Sequence, residues 1–193
     1  MAVMIDIVGA AVILGMLILT IANVNLNLVS ESDKSFIDFD TQTQLIQLAR
    51  ILEFDIYKAG YSVPRHGAIS IADSTKFKFK TDLPNTPGHV DSIMYQLGGY
   101  VTASQNPSDR MLARYENLSN TFINYSVTTF KLSYYNSKDS LMSCPVTGNW
   151  LDSIKAIRIQ LTLQSPLPMD TTYSGGYSYA SAMYQKVIYP RNL

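Results

Sequence analysis

An uncharged, apolar run near the N-terminus constrains this chain more than any other feature of its sequence. The 24 residues between Asp6 and Glu31 carry no charge, and residues 7–22 are almost wholly apolar. A helix of that length would be about 36 Å long, whereas the hydrocarbon core of a bilayer is about 30 Å thick. We therefore predict a helix that lies in lipid or bundles with copies of itself.

Asp6, at the start of this run, is the residue to which the sequence assigns a function. An ordinary signal peptide begins with a basic region, but residues 1–6 contain no Lys or Arg. A carboxylate at the edge of a membrane helix is costly and usually has a partner. The nearest cation is an N-terminal amine, either its own or that of a neighbouring copy. The alternative is that Asp6 lies among lipid headgroups as a favourable charge at a helix N-terminus.

The segment that follows the apolar run leaves two structures open. In residues 23–29, Asn alternates with aliphatic residues, which is the period of a strand rather than of a helix. Asn and Val are also poor helix formers. Either the helix continues through this segment under tertiary packing, or a locally extended piece joins two helices.

A second helical pattern precedes Gly60. Residues 30–33 contain serines and acids that suit a helix N-terminus. Residues 36–58 carry one apolar stripe, which predicts an amphipathic helix with one packed face. The stripe comprises Leu45, Leu48, Ala49, Leu52 and Ile56, and it is widened by Ile37, Ile46, Ile51 and Phe54. Gly60 suits the position after a helix, and Pro64 prevents the helix from resuming.

The chain after Gly60 has the alternation of half-buried antiparallel strands. Predicted strands cover residues 68–72, 75–80, 90–97, 110–115, 127–136, 154–164 and 182–189. Lysines alternate with phenylalanines in the second of these strands, which is typical of a strand near a sheet edge, and residues 165–179 have the composition of a loop. Strands and helices do not alternate, so we predict the α+β class: a long N-terminal helix, first hydrophobic and then amphipathic, packed on an antiparallel sheet.

Composition argues against several functional classes. The net charge is zero at pH 7 and no basic stripe occurs, so we predict no nucleic-acid partner. The single cysteine, Cys144, cannot form a disulfide within the chain, and we interpret it as an idle or buried thiol. His66 and His89 lie in Gly- and Pro-rich loops without a second His or Cys nearby, which argues against zinc.

The remaining polar features give no catalytic or metal site. Residues 81–91 include Asp82, Asn85 and Asp91, but they lack the spacing of an EF-hand calcium loop, and we interpret them as a polar turn. Asn117 and Asn124 begin glycosylation sequons and are candidate sites of glycosylation. The sequence contains no Ser-His-Asp order with the local sequence of a catalytic triad, no carboxylate pair in an apolar cleft context and no phosphate-binding loop. We therefore predict no enzyme activity, cofactor or metal.

Four segments of the sequence resemble the type IV pilin superfamily. Mature type IV pilins begin with a short apolar stretch and an acid at the fifth position, which residues 2–6 match when counting starts at Ala2. The pattern DxxxAGY, here Asp55, Ala59, Gly60 and Tyr61, is similar to the helix end of PilW-like minor pilins and J-type pseudopilins. Residues 90–95 and 187–193 are also similar to that group.

The resemblance implies three regions and a structural function. Residues 1–29 would form the hydrophobic helix, residues 30–60 its amphipathic continuation, and residues 61–193 an antiparallel β domain. The chain would be a subunit of an extracellular pilus-like filament, a helical homo-oligomer, held in the inner membrane before the pilus assembly machinery extracts it. The amine of Met1 or Ala2 would pair with Asp6 of an adjacent subunit and set the axial register.

Two features depart from the family pattern. The basic leader that ends in Gly is absent from this sequence. Either processing removed it or this branch is made differently, and the mature N-terminus is Met1 or Ala2. The proline common in the middle of the hydrophobic helix is also absent. Two alternative functions stay open: a minor pilin or pseudopilin that primes a pilus or a type II secretion system, and a membrane-anchored protein whose β domain binds a ligand.

Overall fold

The computed structural model describes residues 2–64, 66–84, 89–117, 119–171 and 176–193, without the side chains of residues 2, 119–125 and 171. The chain divides into two compact units, Met1–Phe39 and Asp40–Leu193. The helix α1 (Ala2–Tyr57) supplies the described part of the first unit and begins the second.

In the first unit α1 is continuous through residues 23–29. The continuous-helix alternative is therefore correct, and the locally extended one is wrong. An isolated extended segment would leave its backbone N–H and C=O groups without ladder partners, whereas a helix bonds them internally. This outweighs the weak preference of Asn and Val against helix.

In the second unit α1 packs on the sheet through a narrower stripe than the sequence predicted. Thr41, Leu45, Leu48, Leu52 and Ile56 are buried and recur every three or four residues, which is one face of a helix. The residues expected to widen the stripe do not join it: Ile46, Ile51 and Phe54 are exposed, and Ile37 is half-buried. A helix on a flat sheet buries only the side chains that point at the sheet.

Nine strands follow α1 in the part of the chain that the structure describes. They are β1 (Ile69–Ala72), β2 (Lys76–Thr81), β3 (Asp91–Tyr100), β4 (Arg110–Glu116), β5 (Ser119–Tyr135), β6 (Ala156–Gln164), β7 (Asp170–Thr171), β8 (Tyr177–Ser178) and β9 (Ser181–Ile188). Seven form one antiparallel sheet in the order β1-β2-β3-β4-β5-β6-β9. The predicted α+β class is confirmed. Three elements of the structure were not predicted from the sequence. They are the first half of β5, the two-residue β7–β8 pair inside the predicted loop, and a 3-10 helix at Gly148–Ser153.

Strict alternation along the strands builds the core. In β6, residues Ile157, Ile159, Leu161 and Leu163 are buried, while the residues between them are half-buried on the other face. Phe77 and Phe79 of β2 are fully buried and join the same core as the α1 stripe. One face of the sheet therefore receives the helix, as the period-two pattern predicted.

Two acids hold α1 to the sheet from opposite sides. Residues two apart on a helix point about 200° apart. Asp55 accepts hydrogen bonds from the Tyr95 hydroxyl at 2.5 Å and from Arg114 Nε at 2.7 Å. Glu53 accepts hydrogen bonds from the Tyr184 hydroxyl and from Lys186 Nζ, the latter at 2.6 Å. Asp55 thus ties the helix to β3 and β4, and Glu53 ties it to β9.

The pKa values of Glu53 and of Tyr95, the partner of Asp55, are shifted in opposite directions. Desolvation raises the pKa of Glu53, but hydrogen bonds from Lys186 and Tyr184 outweigh it, so the pKa of this carboxyl lies below its ordinary value. Burial, together with the neighbouring Asp55 carboxylate, raises the pKa of the Tyr95 hydroxyl far above its ordinary value. The Tyr95 hydroxyl therefore remains a proton donor to Asp55 at every physiological pH.

Gly60 lies in the turn that follows α1 and packs closely against the C-terminal residues. Its φ is +77°, its N–H donates to Lys80 O at 2.9 Å, and a Cβ there would lie 3.0 Å from Asn192 O. Gly60→Ala is expected to cost about 1–2 kcal/mol from the left-handed backbone alone, and more because the C-terminal residues must move.

The free energy of unfolding of Gly60→Ala is measured by denaturant unfolding of the full chain in detergent micelles. Gly67→Ala is the matched control. Gly67 has a φ of +79°, but nothing lies within 4 Å of its Cβ position. Equal losses of unfolding free energy at the two positions would refute the contribution of the Asn192 contact.

Candidate functional site

The first unit presents apolar side chains in every direction. We name residues 3–29 of α1 the apolar helix surface. All of its side chains are exposed, from Val24 at 51% to Met4 at 74%. A helix that is apolar all round is normally buried in protein or in lipid, and each large side chain left in water forgoes about 1.5–3 kcal/mol. This surface therefore requires a cover that the described residues of the chain do not supply.

The length and composition of α1 suit a membrane. Among the described residues, one helix is long and apolar enough to cross a bilayer, and none of its most apolar window is buried. A helix satisfies its backbone groups internally, as the hydrocarbon region demands. No atom of the structure lies within 4 Å of the Cβ positions of Gly9 and Gly15, so these residues allow the close approach of another helix.

The predicted assembly residues lie at the start of α1. Asp6 is exposed in the first two turns of the helix. The structure describes the backbone of Ala2 as helical, and Met1 lies outside the described residues. The pairing of Asp6 with an N-terminal amine of another copy therefore stays a prediction.

The two sequons lie in the β4–β5 region. Asn117 adopts a φ of +47°, and its side chain binds the start of β3: Oδ1 accepts from Ser92 N at 2.8 Å, and Nδ2 donates to Asp91. The nitrogen that would carry a sugar is thus already a hydrogen-bond donor. The side chain of Asn124 lies outside the described residues. Glycosylation stays a prediction at both positions.

The structure brings together Asp82, His89 and Asp91, whose ligand atoms lie within 4.8 Å of one another. Sequence reasoning missed His89 as a member of this group, although the spacing D-x6-H-x-D would have suggested it. His89 Nδ1 lies 3.2 Å from Asp91 Oδ2, which also accepts from Leu83 N at 3.1 Å. Desolvation raises the pKa of Asp91, but hydrogen bonds from Asn117 and Leu83 outweigh it, so this pKa lies below its ordinary value. We interpret the group as a hydrogen-bonded polar cluster at the start of β3, because both Asp91 oxygens already accept hydrogen bonds.

A search of solved structures finds a type IV-like pilin from Thermus thermophilus. The match covers 78% of this chain and 95% of that chain, with a TM-score of 0.53 and 13% sequence identity. The fold is that of a type IV-like pilin. The resemblance inferred from residues 2–6 and from the DxxxAGY pattern is thereby confirmed at the level of the fold.

Sequence comparisons add nothing to this likeness. No protein-family model matches the chain. No curated protein matches it either. The likeness is therefore one of fold, and that fold is compatible with the exposed apolar helix surface.

Proposed function

We propose that this chain is a structural subunit of an extracellular type IV pilus-like filament. The observation that carries the proposal is the apolar helix surface, residues 3–29, in which every side chain is exposed. Before assembly the inner membrane would cover it. In the filament the same surface of neighbouring copies would cover it, while the β units would form the exterior.

Asp6 would act as the assembly key, that is, the residue that fixes how neighbouring subunits align along the filament. Among packed apolar helices a lone carboxylate would cost several kcal/mol, and the N-terminal amine of an adjacent copy would offset that cost. Because only one axial offset brings the two charges together, the pair would select the register between subunits. The pilus assembly machinery would extract subunits from the membrane in this register.

Asp6→Asn is the variant that tests the key. Breaking one side of a buried ion pair costs about 3–5 kcal/mol, so we expect filament yield to fall about 100-fold or more. The measurement is electron microscopy of filaments sheared from cells of the native host, with membrane levels of the chain measured in parallel.

Asp139→Asn is the matched control, since Asp139 is an exposed acid outside the helix and Asn tolerates its φ of +53°. It should assemble like the wild type. Normal filaments from Asp6→Asn would reject the key, whereas a wild-type chain that never appears in filaments would reject the proposed function.

Mass spectrometry of the purified filaments separates the remaining possibilities. A bulk subunit would be the chief protein of the filament, whereas a minor pilin or pseudopilin would appear in traces. The mass of the first peptide would show whether Asp6 is the fifth or the sixth residue of the mature chain. A chain that stays monodisperse in membranes and binds a ligand would favour the anchored-binder alternative.

A further inference from the structure

The zero net charge of the chain hides an opposite charge on its two units. The first unit contains four acids (Asp6, Glu31, Asp33 and Asp38) and a single basic residue, Lys34. The second unit holds the other 14 Lys and Arg residues and the other 11 acids. The formal charges are therefore −3 and +3.

Burial increases the contrast. Asp82, Asp91 and Asp109 of the second unit are buried, so they contribute little to its surface. Asp55 is buried too, but it pairs with Arg114 and leaves the balance unchanged. The surface of the second unit is accordingly more basic than its formal charge indicates. A copy of this chain thus carries both members of a complementary pair of surfaces.

The basic surface has a defined centre on β2. Phe77 and Phe79 point into the core, so the alternating residues Lys76, Lys78 and Lys80 lie on the opposite face of the sheet. Successive members are roughly 7 Å apart along the strand. Among the described residues, none of the three forms an ion pair. We name this row the β2 lysine stripe. The expectation that the chain has no basic stripe is therefore wrong.

The acidic partner is the part of α1 that follows the apolar helix surface. Glu31, Asp33 and Asp38 are exposed or half-buried there, and Lys34 lies 3.7 Å from Glu31. Glu31 and Asp38 are seven residues apart, so they share one side of the helix and are separated by roughly 10 Å, whereas Asp33 points to the other side. This acidic segment can therefore meet neighbours on more than one side.

We propose that the β2 lysine stripe of one copy binds the acidic segment, Glu31 to Asp38, of a second copy of this chain. The inference rests on the proposed filament. It adds a contact between the second unit of one copy and the helix of another copy. The stripe spans roughly 13 Å, which is comparable with the separation of Glu31 and Asp38. The Asp6 pair would fix the axial register at one end of the helix, and this second polar contact would fix the orientation of the second unit of one copy against the helix of the next.

Zero-length crosslinking identifies the contact directly. A carbodiimide joins carboxylates to lysine amines only where they touch. Full-length chains labelled with 14N and with 15N are mixed in detergent micelles or co-assembled in filaments, and then crosslinked. We expect mixed-isotope peptides that join residues 31–38 to residues 76–80. Self-association with the dominant mixed-isotope crosslinks elsewhere, or with none, would overturn the proposal.

Charge reversal with rescue gives the quantitative test. The triple variant Lys76→Glu, Lys78→Glu, Lys80→Glu should weaken self-association about tenfold. Adding Glu31→Lys, Asp33→Lys and Asp38→Lys to the same chain should restore association to within about threefold of the wild type. The Lys→Gln triple variant, which keeps the stem of each side chain, provides the second reading if the Glu variant does not fold.

The matched control reverses Lys131, Lys138 and Lys155, three exposed or half-buried lysines away from β2. If it weakens association equally, net charge alone explains the effect and the proposal is wrong. It is also wrong if the lysine variants lose binding to phosphatidylglycerol vesicles while their self-association is unchanged, because the partner would then be lipid.

The failure of this contact and the failure of the proposed function are distinguishable. Crosslinks between the two segments in micelles without any filament in cells would retain the contact and reject the filament. Filaments in which no such crosslinks form would support the proposed function and reject the contact.

Discussion

Asp55→Ala is expected to lower the free energy of unfolding of the second unit by about 3–5 kcal/mol, because it leaves a buried cation without its partner. The side chains of Asp55 and Arg114 are only 4% and 13% exposed, and Arg114 Nε lies 2.7 Å from the carboxylate. Asp55 also accepts the bond from the Tyr95 hydroxyl. One truncation therefore removes the acceptor that the Tyr95 hydroxyl and Arg114 Nε share, and it leaves Arg114 with only the more exposed Glu116 as an ion-pair partner.

A series of variants separates the partners of Asp55. Tyr95→Phe removes one hydrogen bond and should cost about 1–2 kcal/mol. Glu116→Ala, at the 40% exposed end of the network, should cost at most about 1 kcal/mol. Asp55→Ala combined with Arg114→Ala should cost less than the sum of the two single changes, since neither charge is then left alone.

The measurement is denaturant unfolding of the full chain in detergent micelles, followed by near-UV circular dichroism of the tyrosines. A cost for Asp55→Ala within about 1 kcal/mol of that for Glu116→Ala would contradict the assignment of Asp55 as the anchor of α1.

Leu17→Arg is expected to abolish both membrane insertion and filament formation. Leu17 lies in the middle of the apolar helix surface and is 54% exposed. An arginine at the centre of a membrane helix costs about 2.5–3.5 kcal/mol on insertion scales, and the same charge would be buried without a partner between packed helices. The fold of the second unit should be unaffected, because no residue of that unit changes.

Gln47→Arg provides the matched control in the same helix. Gln47 is exposed within the second unit, so an arginine there should leave insertion and assembly unchanged. Leu17→Ala, which keeps the helix and removes only apolar area, should have an intermediate effect. Fractionation of cell membranes and counting of sheared filaments are the two measurements, and wild-type behaviour of Leu17→Arg in both would exclude a lipid or helix cover for residues 3–29.

The strands were predictable because their signals are local. Period-two alternation in residues 154–164 identifies β6 and its buried face without any knowledge of the partner strands, since successive strand side chains point to opposite faces. The lysine–phenylalanine alternation likewise identified β2 and which of its faces is buried. The first half of β5 had no such signal, because its polar residues alternate less regularly than those of β6.

The width of the α1 stripe and the role of Asp55 were not predictable in the same way. Ile46 and Phe54 are as apolar as the buried residues, but they point away from the sheet. Asp55 stands beside Leu52 and Ile56 on the buried face, where a lone acid signals a partner. Nothing in the sequence near Asp55 identifies that partner, since Tyr95 and Arg114 come from strands 40 and 59 residues later.

The sequence by itself determined the apolar helix and the antiparallel β class, because burial preference and strand period are properties of single residues and their spacing. Only the tertiary structure decided which carboxylates are anchors, which apolar side chains stay exposed, and that the β2 lysines share one outer face. These depend on which strands pair and in what register, and pairing joins residues that are distant along the chain.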